Sequence, residues 1–172
     1  NYTSWLVNAT LPPAMKYAGP DVDIAGRNDG SGYSRYIDVS YRYDPSTGLN
    51  ITRISVVGFT GDVVNYTGAL KLCNKYHSDT LYAKLQLAQI IPGANVTAVR
   101  YFRVQFEESP YTGVEAQRDT ITKALSDPVA ISSGDCKFLG VHILIDPRLS
   151  RDLRDGKTVL ATYEIRVHFS TS

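Results

Sequence analysis

The sequence predicts an all-β fold: an antiparallel two-sheet sandwich of jelly-roll or Greek-key type, with one or two short helices and a detached N-terminal strand. Three observations predict it. Apolar and polar residues alternate with period two through much of the chain, the pattern of strands buried on one face. Gly, Pro, Asn and Asp gather between the alternating runs, where turns need them. About eight to ten such runs share one stretch of 172 residues, a length that suits a single domain burying roughly 70% of the surface its unfolded chain exposes.

Taken in order, residues 1–11 read as a first strand with Trp5, Val7, Ala9 and Leu11 on one face and Ser4, Asn8 and Thr10 on most of the other. Pro12-Pro13 stops it, and residues 12–20 read as a Pro/Gly connector. Residues 21–172 form the sandwich domain, with no internal repeat or composition shift to divide them. Strands are expected at 34–43 and 49–57, joined by Asp44-Pro45-Ser46-Thr47-Gly48, where Pro pre-sets a turn and Gly48 is free to take positive φ. Further strands are expected at 69–73, 81–91, 98–106, 138–145 and 158–169.

In 81–91, Leu81, Ala83, Leu85, Leu87 and Ile91 are expected inward. In 98–106 the inward set is Phe102, Val104 and Phe106, with Arg103 and Gln105 outward. The last strand sets Val159, Ala161, Tyr163, Ile165, Val167 and Phe169 against Thr158, Thr162, Glu164, Arg166 and His168. Two segments carry helical spacing instead: Val114, Arg118, Ile121 and Leu125 within 114–125, and Leu149 and Leu153 within 147–153.

Composition restricts the compartment and the partners. Lys and Arg number 18 against 17 Asp and Glu, a net charge of +1. That balance argues against nucleic acid and against a polybasic membrane surface as partners. No run of 18 apolar residues exists to span a bilayer. Of seven Asn, five begin an N-x-T triplet: Asn1, Asn8, Asn50, Asn65 and Asn95. Ser and Thr fill 28 of the 172 positions, so chance supplies about one such acceptor, and five read as selection for covalent N-glycans. The chain opens at Asn1-Tyr2-Thr3, which reads as a mature product freed of its signal peptide. Cys73 and Cys136, the only cysteines, are expected to form one disulfide in a secreted or cell-surface protein. Two unrelated buried thiols are the alternative. Neither a cofactor nor a metal site is expected.

The titratable residues offer little to converge on a reaction. His77, His142 and His168 lie in no metal-ligating spacing, and structural or surface roles suit the two that fall in strands. No nucleophile elbow, phosphate loop or dinucleotide fingerprint occurs. Asp21, Asp23, Asn28 and Asp29 share a Gly-rich turn, but their spacing is not that of an EF-hand and Arg27 opposes a cation, so an ordinary turn is expected. The twelve Tyr suit half-exposed strands better than a carbohydrate platform. The expectation is a protein without catalytic residues. All five glycan acceptors precede residue 98, which leaves the C-terminal half open to protein contact.

An exported sandwich, a free alternating strand at Trp5 to Leu11, a Pro-rich connector and dense N-glycosylation together resemble the subunits of donor-strand filaments. The likeness is to the archaeal bundling pili related to the bacterial biofilm fibre protein TasA. It is architectural and rests on no diagnostic motif. It implies a jelly-roll subunit that inserts its N-terminal strand into the next copy, so that the partner is the chain itself in a head-to-tail homopolymer. Glycans then meet neighbouring filaments. Burying Trp5, Val7 and Leu11 in an acceptor would supply roughly 1.5–3 kcal/mol each before ordering costs. The alternative is a monomeric secreted or cell-surface recognition module, lectin-like or the ectodomain of an adhesin or receptor, in which the first strand pairs at home.

Overall fold

The computed structural model of the chain describes residues 3–4, 14–18, 32–33, 37–56, 58–75 and 78–171. Trp5, Val7, Ala9, Leu11, Asn1 and Asn8, the acidic turn at 21–29, and His77 lie outside them. The described chain is all-β, a sandwich of antiparallel sheets. Its twelve strands are β1 Ala14–Ala18, β2 Gly32–Tyr33, β3 Ile37–Asp44, β4 Leu49–Val56, β5 Val64–Asn74, β6 Leu81–Pro92, β7 Val99–Phe106, β8 Gly113–Gln117, β9 Thr120–Lys123, β10 Val129–Ile131, β11 Cys136–Ile145 and β12 Ala161–Ser170.

One sheet has the order β1-β5-β11-β7-β8-β9 and packs on a second, β10-β6-β12, while β2-β3-β4 form a third. Strand β11 lies between β5 and β7, which precede it by far in the chain, the interleaving expected of Greek-key connections. The core follows the alternation. Leu70 and Leu72 of β5, Phe102, Val104 and Phe106 of β7, and Leu139, Val141 and Ile143 of β11 face Leu81, Ala83, Leu85 and Leu87 of β6, all buried. The hairpin at 44–48 forms as expected. Asp44 Oδ1 accepts from Ser46 N and Gly48 takes φ +72.

Several expectations are corrected. Residues 114–125 form no helix but the β8–β9 hairpin and the start of a crossing segment bridged to β6 at Gln86–Leu125. Val114 and Ala116, two apart, are the buried pair, whereas Arg118 and Leu125 of the helical set are exposed. Within 147–153 the helix is a single 3-10 turn, Arg151–Leu153, with Leu149 buried before it. Strand β5 is longer than 69–73 because its first half carries polar residues on the outer face, so Asn65 stands on a strand and not in a bend. In β6 the register shifts between Leu87 and Gln89, opposite Glu164/Ile165. That bulge inverts the alternation beyond it, so Ile90 packs on the core and Ile91 is 46% exposed. Val159 precedes β12 and is 61% exposed. Part of the expected connector is ordered as well: Ala14–Ala18 pairs antiparallel with β5 from Asn74 to Leu70.

The disulfide is formed. Cys73 and Cys136 are direct cross-strand partners on β5 and β11. Beside it the fully buried Asn74 ties three segments together. Its Nδ2 donates to Asp79 O (2.8 Å) and Ile131 O (3.0 Å), and its main chain pairs with Gly134 and Asp135.

Candidate functional site: the open edge of the second sheet

The two packed sheets meet differently on their two sides. On one side the chain leaves β9 and crosses over. Leu87 N donates to Ala124 O (2.8 Å), Ser126 N to Leu85 O (2.9 Å), and Leu85 N to Ser126 Oγ (2.8 Å), after which β10 pairs with Leu81–Ala83. The β9–β10 crossing therefore closes that side with continuous hydrogen bonding along β6. On the other side the edges are β1 and β12. Strand β12 is ten residues long and, among the described residues, is paired through β6 alone.

The burial of β12 matches an open side. Its inward residues Ala161, Tyr163, Ile165, Val167 and Phe169 touch the core but are only half-buried, while the facing Phe102, Val104 and Phe106 are buried. Val64 and Tyr66, at the start of β5, are half-buried against the same core. Tyr163 stacks on Phe102 with ring centroids 3.9 Å apart and planes within 8°. Its hydroxyl is buried with no hydrogen-bond partner, and burial pushes the phenol up to about 12. A long edge of this kind exposes main-chain donors and acceptors beside apolar side chains, which is the chemistry that accepts an added strand.

The outer face of the large sheet carries a second cluster, built by register. Asn65, His142, Arg103, Glu115 and Lys123 are successive partners across β5, β11, β7, β8 and β9. Arg103 Nη1 donates to Glu115 Oε2 (3.2 Å), its Nε to Gln105 Oε1 (2.7 Å) and its Nη2 to Tyr111 O (2.9 Å). Tyr101 OH donates to the same Glu115 oxygen (3.2 Å), and burial, then the Glu115 charge, raises its phenol. His142 Nε2 lies 2.9 Å from Glu107 Oε1, and Glu107 rests over Gly140, where a β-carbon would collide with its carboxylate. Gln105, expected outward, does point there yet is 8% exposed because these neighbours cover it. The network uses its donors and acceptors on itself, which stiffens the sheet. Sequence reading missed Glu107 and Glu115. Outward alternation on β7 and β11 is the available signal, and the helical reading of 114–125 hides β8 and β9, the last two strands of the row.

Of the expected glycan acceptors, Asn65 is exposed on β5, and Asn50 falls on β4, opposite Tyr43. Asn95 is half-buried and caps the 3-10 turn Val96–Ala98, its Oδ1 accepting from Ala98 N (3.2 Å) and from the hydroxyl of its own triplet's Thr97 (2.9 Å). His168 Nε2 lies 2.7 Å from Gln86 Oε1 on the outer face of β12–β6. Among the described residues no helix is long and apolar enough to cross a membrane. No protein-family model matches the chain, and no curated protein is detectably similar to it in sequence.

Proposed function

We propose that the chain is the structural subunit of an extracellular, N-glycosylated filament of the pilus or biofilm-fibre kind, assembled by insertion of the N-terminal strand of one copy into the next. The observation that carries this reading is the β12 edge: ten residues with half-buried apolar side chains and no described strand beside them. In sequence, residues 1–11 carry an alternation of matching length that would set Trp5, Val7, Ala9 and Leu11 on one face of a donor strand; Thr3 and Ser4, the two of them that are described, are in no strand within one copy. The disulfide fits an oxidising compartment, and the five N-x-T triplets fit glycosylation there. Strand insertion is a heterologous contact, and one that does not close into a ring propagates as a fibre.

Electron microscopy of the purified full-length protein tests this. Fibres are expected, and a variant lacking residues 1–11 is expected to remain monomeric. Fibres of normal appearance from the truncated chain would sink the mechanism. The second reading, a monomeric recognition module, draws on Tyr111, which stands 51% exposed at φ +56 with its carbonyl held by Arg103. Strained aromatic residues of this kind occur at ligand sites. Size-exclusion chromatography separates the readings, since a module elutes as a monomer.

A further inference from the structure

The register of the sheets assigns a direction to the contact between copies, resting on the strand-insertion reading above. One end of the sandwich holds the disulfide, the end of β5 at Asn74 and the end of β12 at Ser170, because Asn74 Nδ2 reaches Ile131 O and Ile131 and Ser170 pair with the start of β6. The other end holds the start of β12 at Ala161, paired with Pro92, together with Val63 and Val159. Ala14 pairs with Asn74, so the chain ahead of β1 departs from the disulfide end.

The nine strand pairs among the described residues are antiparallel, and the parallel contact among them is a single isolated bridge, Thr60 to Ile145. A strand added to β12 in the same sense must run from the Ser170 end to the Ala161 end, bringing residue 11 to Ala161. Within one copy this is impossible. Nine residue steps separate the two ends of the ten-residue β12, about 30 Å, while the three steps from residue 11 to Ala14 reach at most about 11 Å. A second copy meets the requirement directly. Its disulfide end, where its Ala14 lies, sits against the Ala161 end of the acceptor.

We infer that β12 accepts residues 1–11 of a second copy in antiparallel sense, and that the disulfide end of each subunit abuts the Ala161 end of the next. One further observation agrees, and one register follows from the arrangement. The Ala161 end exposes Phe59, Val63, Ile91 and Val159, four of the large apolar residues most open to solvent, and an abutting copy would cover them. In the register that sets Thr10 beside Thr162, Ala9 falls opposite Tyr163, the smallest donor side chain against the largest acceptor one, with Val7 opposite Ile165 and Trp5 opposite Val167.

Paired cysteines in the otherwise intact chain, joined by a short bis-maleimide, read the direction. Thr10→Cys with Thr162→Cys, and Ser4→Cys with His168→Cys, are expected to give a ladder of covalent multimers. Thr10→Cys with His168→Cys is expected to give none. A ladder from that last pair in protein that still forms fibres overturns the direction and leaves the filament reading standing, as do fibres in which neither expected pair reacts. Cross-linking confined to monomers, with no fibres, overturns both. Val159→Glu provides an independent check: the residue is already exposed, so melting should be unchanged while fibres are lost. Unaltered fibres from that variant overturn the end-to-end contact.

Discussion

Two ionisable side chains near β12 show opposite physics. The Tyr163 phenol is buried against Phe102 without a partner and is pushed up to about 12. Its folded pKa lies above the unfolded value near 10. The stability it contributes is therefore fully present below pH 10 and is lost as pH rises from there through about 12, because the unfolded chain ionises first. Tyrosinate absorbance should show a late-titrating component from Tyr163 beyond that of Tyr101, whose phenol is also raised, and the Tyr163 component should be absent in Tyr163→Phe. That variant removes an unsatisfied hydroxyl and keeps the ring, so its unfolding free energy in urea should be unchanged or raised by about 1 kcal/mol at most. Asp155 is the converse. Thr158 N and Lys157 N donate to its Oδ1 (2.8 and 2.9 Å) and hold the carboxyl down to about 2. Its contribution is present above the unfolded carboxylate value and is lost as pH falls through about 2. Hydrogen exchange should quicken at the Lys157 and Thr158 amides in Asp155→Ala, the turn that leads into β12.

At the scale of elements, what could be read from the sequence depended on whether a strand's alternation ran unbroken. β7 and β12 carry five or more residues of uninterrupted period two, and their inward faces follow it from Phe102 to Phe106 and from Ala161 to Phe169. β6 does not. Its bulge moves Ile90 inward and Ile91 outward, and a main-chain irregularity leaves no mark in residue type. The β8–β9 hairpin was hidden for a related reason. Its turn holds Arg118 at φ +57, where Gly or Asn is the usual residue, so no turn signal broke the apparent helical spacing. A non-glycine residue there carries strain of about 1 kcal/mol or more. Arg118→Gly should relieve part of it, raising stability by about 0.5–1 kcal/mol in chemical denaturation while leaving the β7–β8 pairing intact. The open edge of β12 was the least legible feature. Its half-buried residues look like any core strand in sequence, and what distinguishes them is that no further strand lies beside β12 among the described residues.

For the whole molecule, most of the pairing is non-local. β6 meets β12 across 69 to 88 residues of chain and β5 meets β11 across 63 to 79, and closing such loops precedes the contacts that repay them. The disulfide acts on that term. It joins residues 63 apart in sequence, and in the chain-entropy account removes about 4 kcal/mol of unfolded-state freedom. Its place matters as much as its size, since it fixes β5 to β11 within the large sheet, leaving the β1 and β12 edges to be held by packing and by pairing with one neighbour each, β5 and β6. Replacing both cysteines by Ser should lower stability by about 2–4 kcal/mol in urea. The denaturant dependence should steepen, because the uncrosslinked chain exposes more surface when unfolded. Hydrogen exchange locates the loss. If the bridge acts through the unfolded state, amides of β5, β11 and β7 that exchange by global unfolding should all quicken by the same factor. Quickening confined to the Cys73–Asn74 and Asp135–Cys136 segment would instead show that the bridge only pins one end of the sheet.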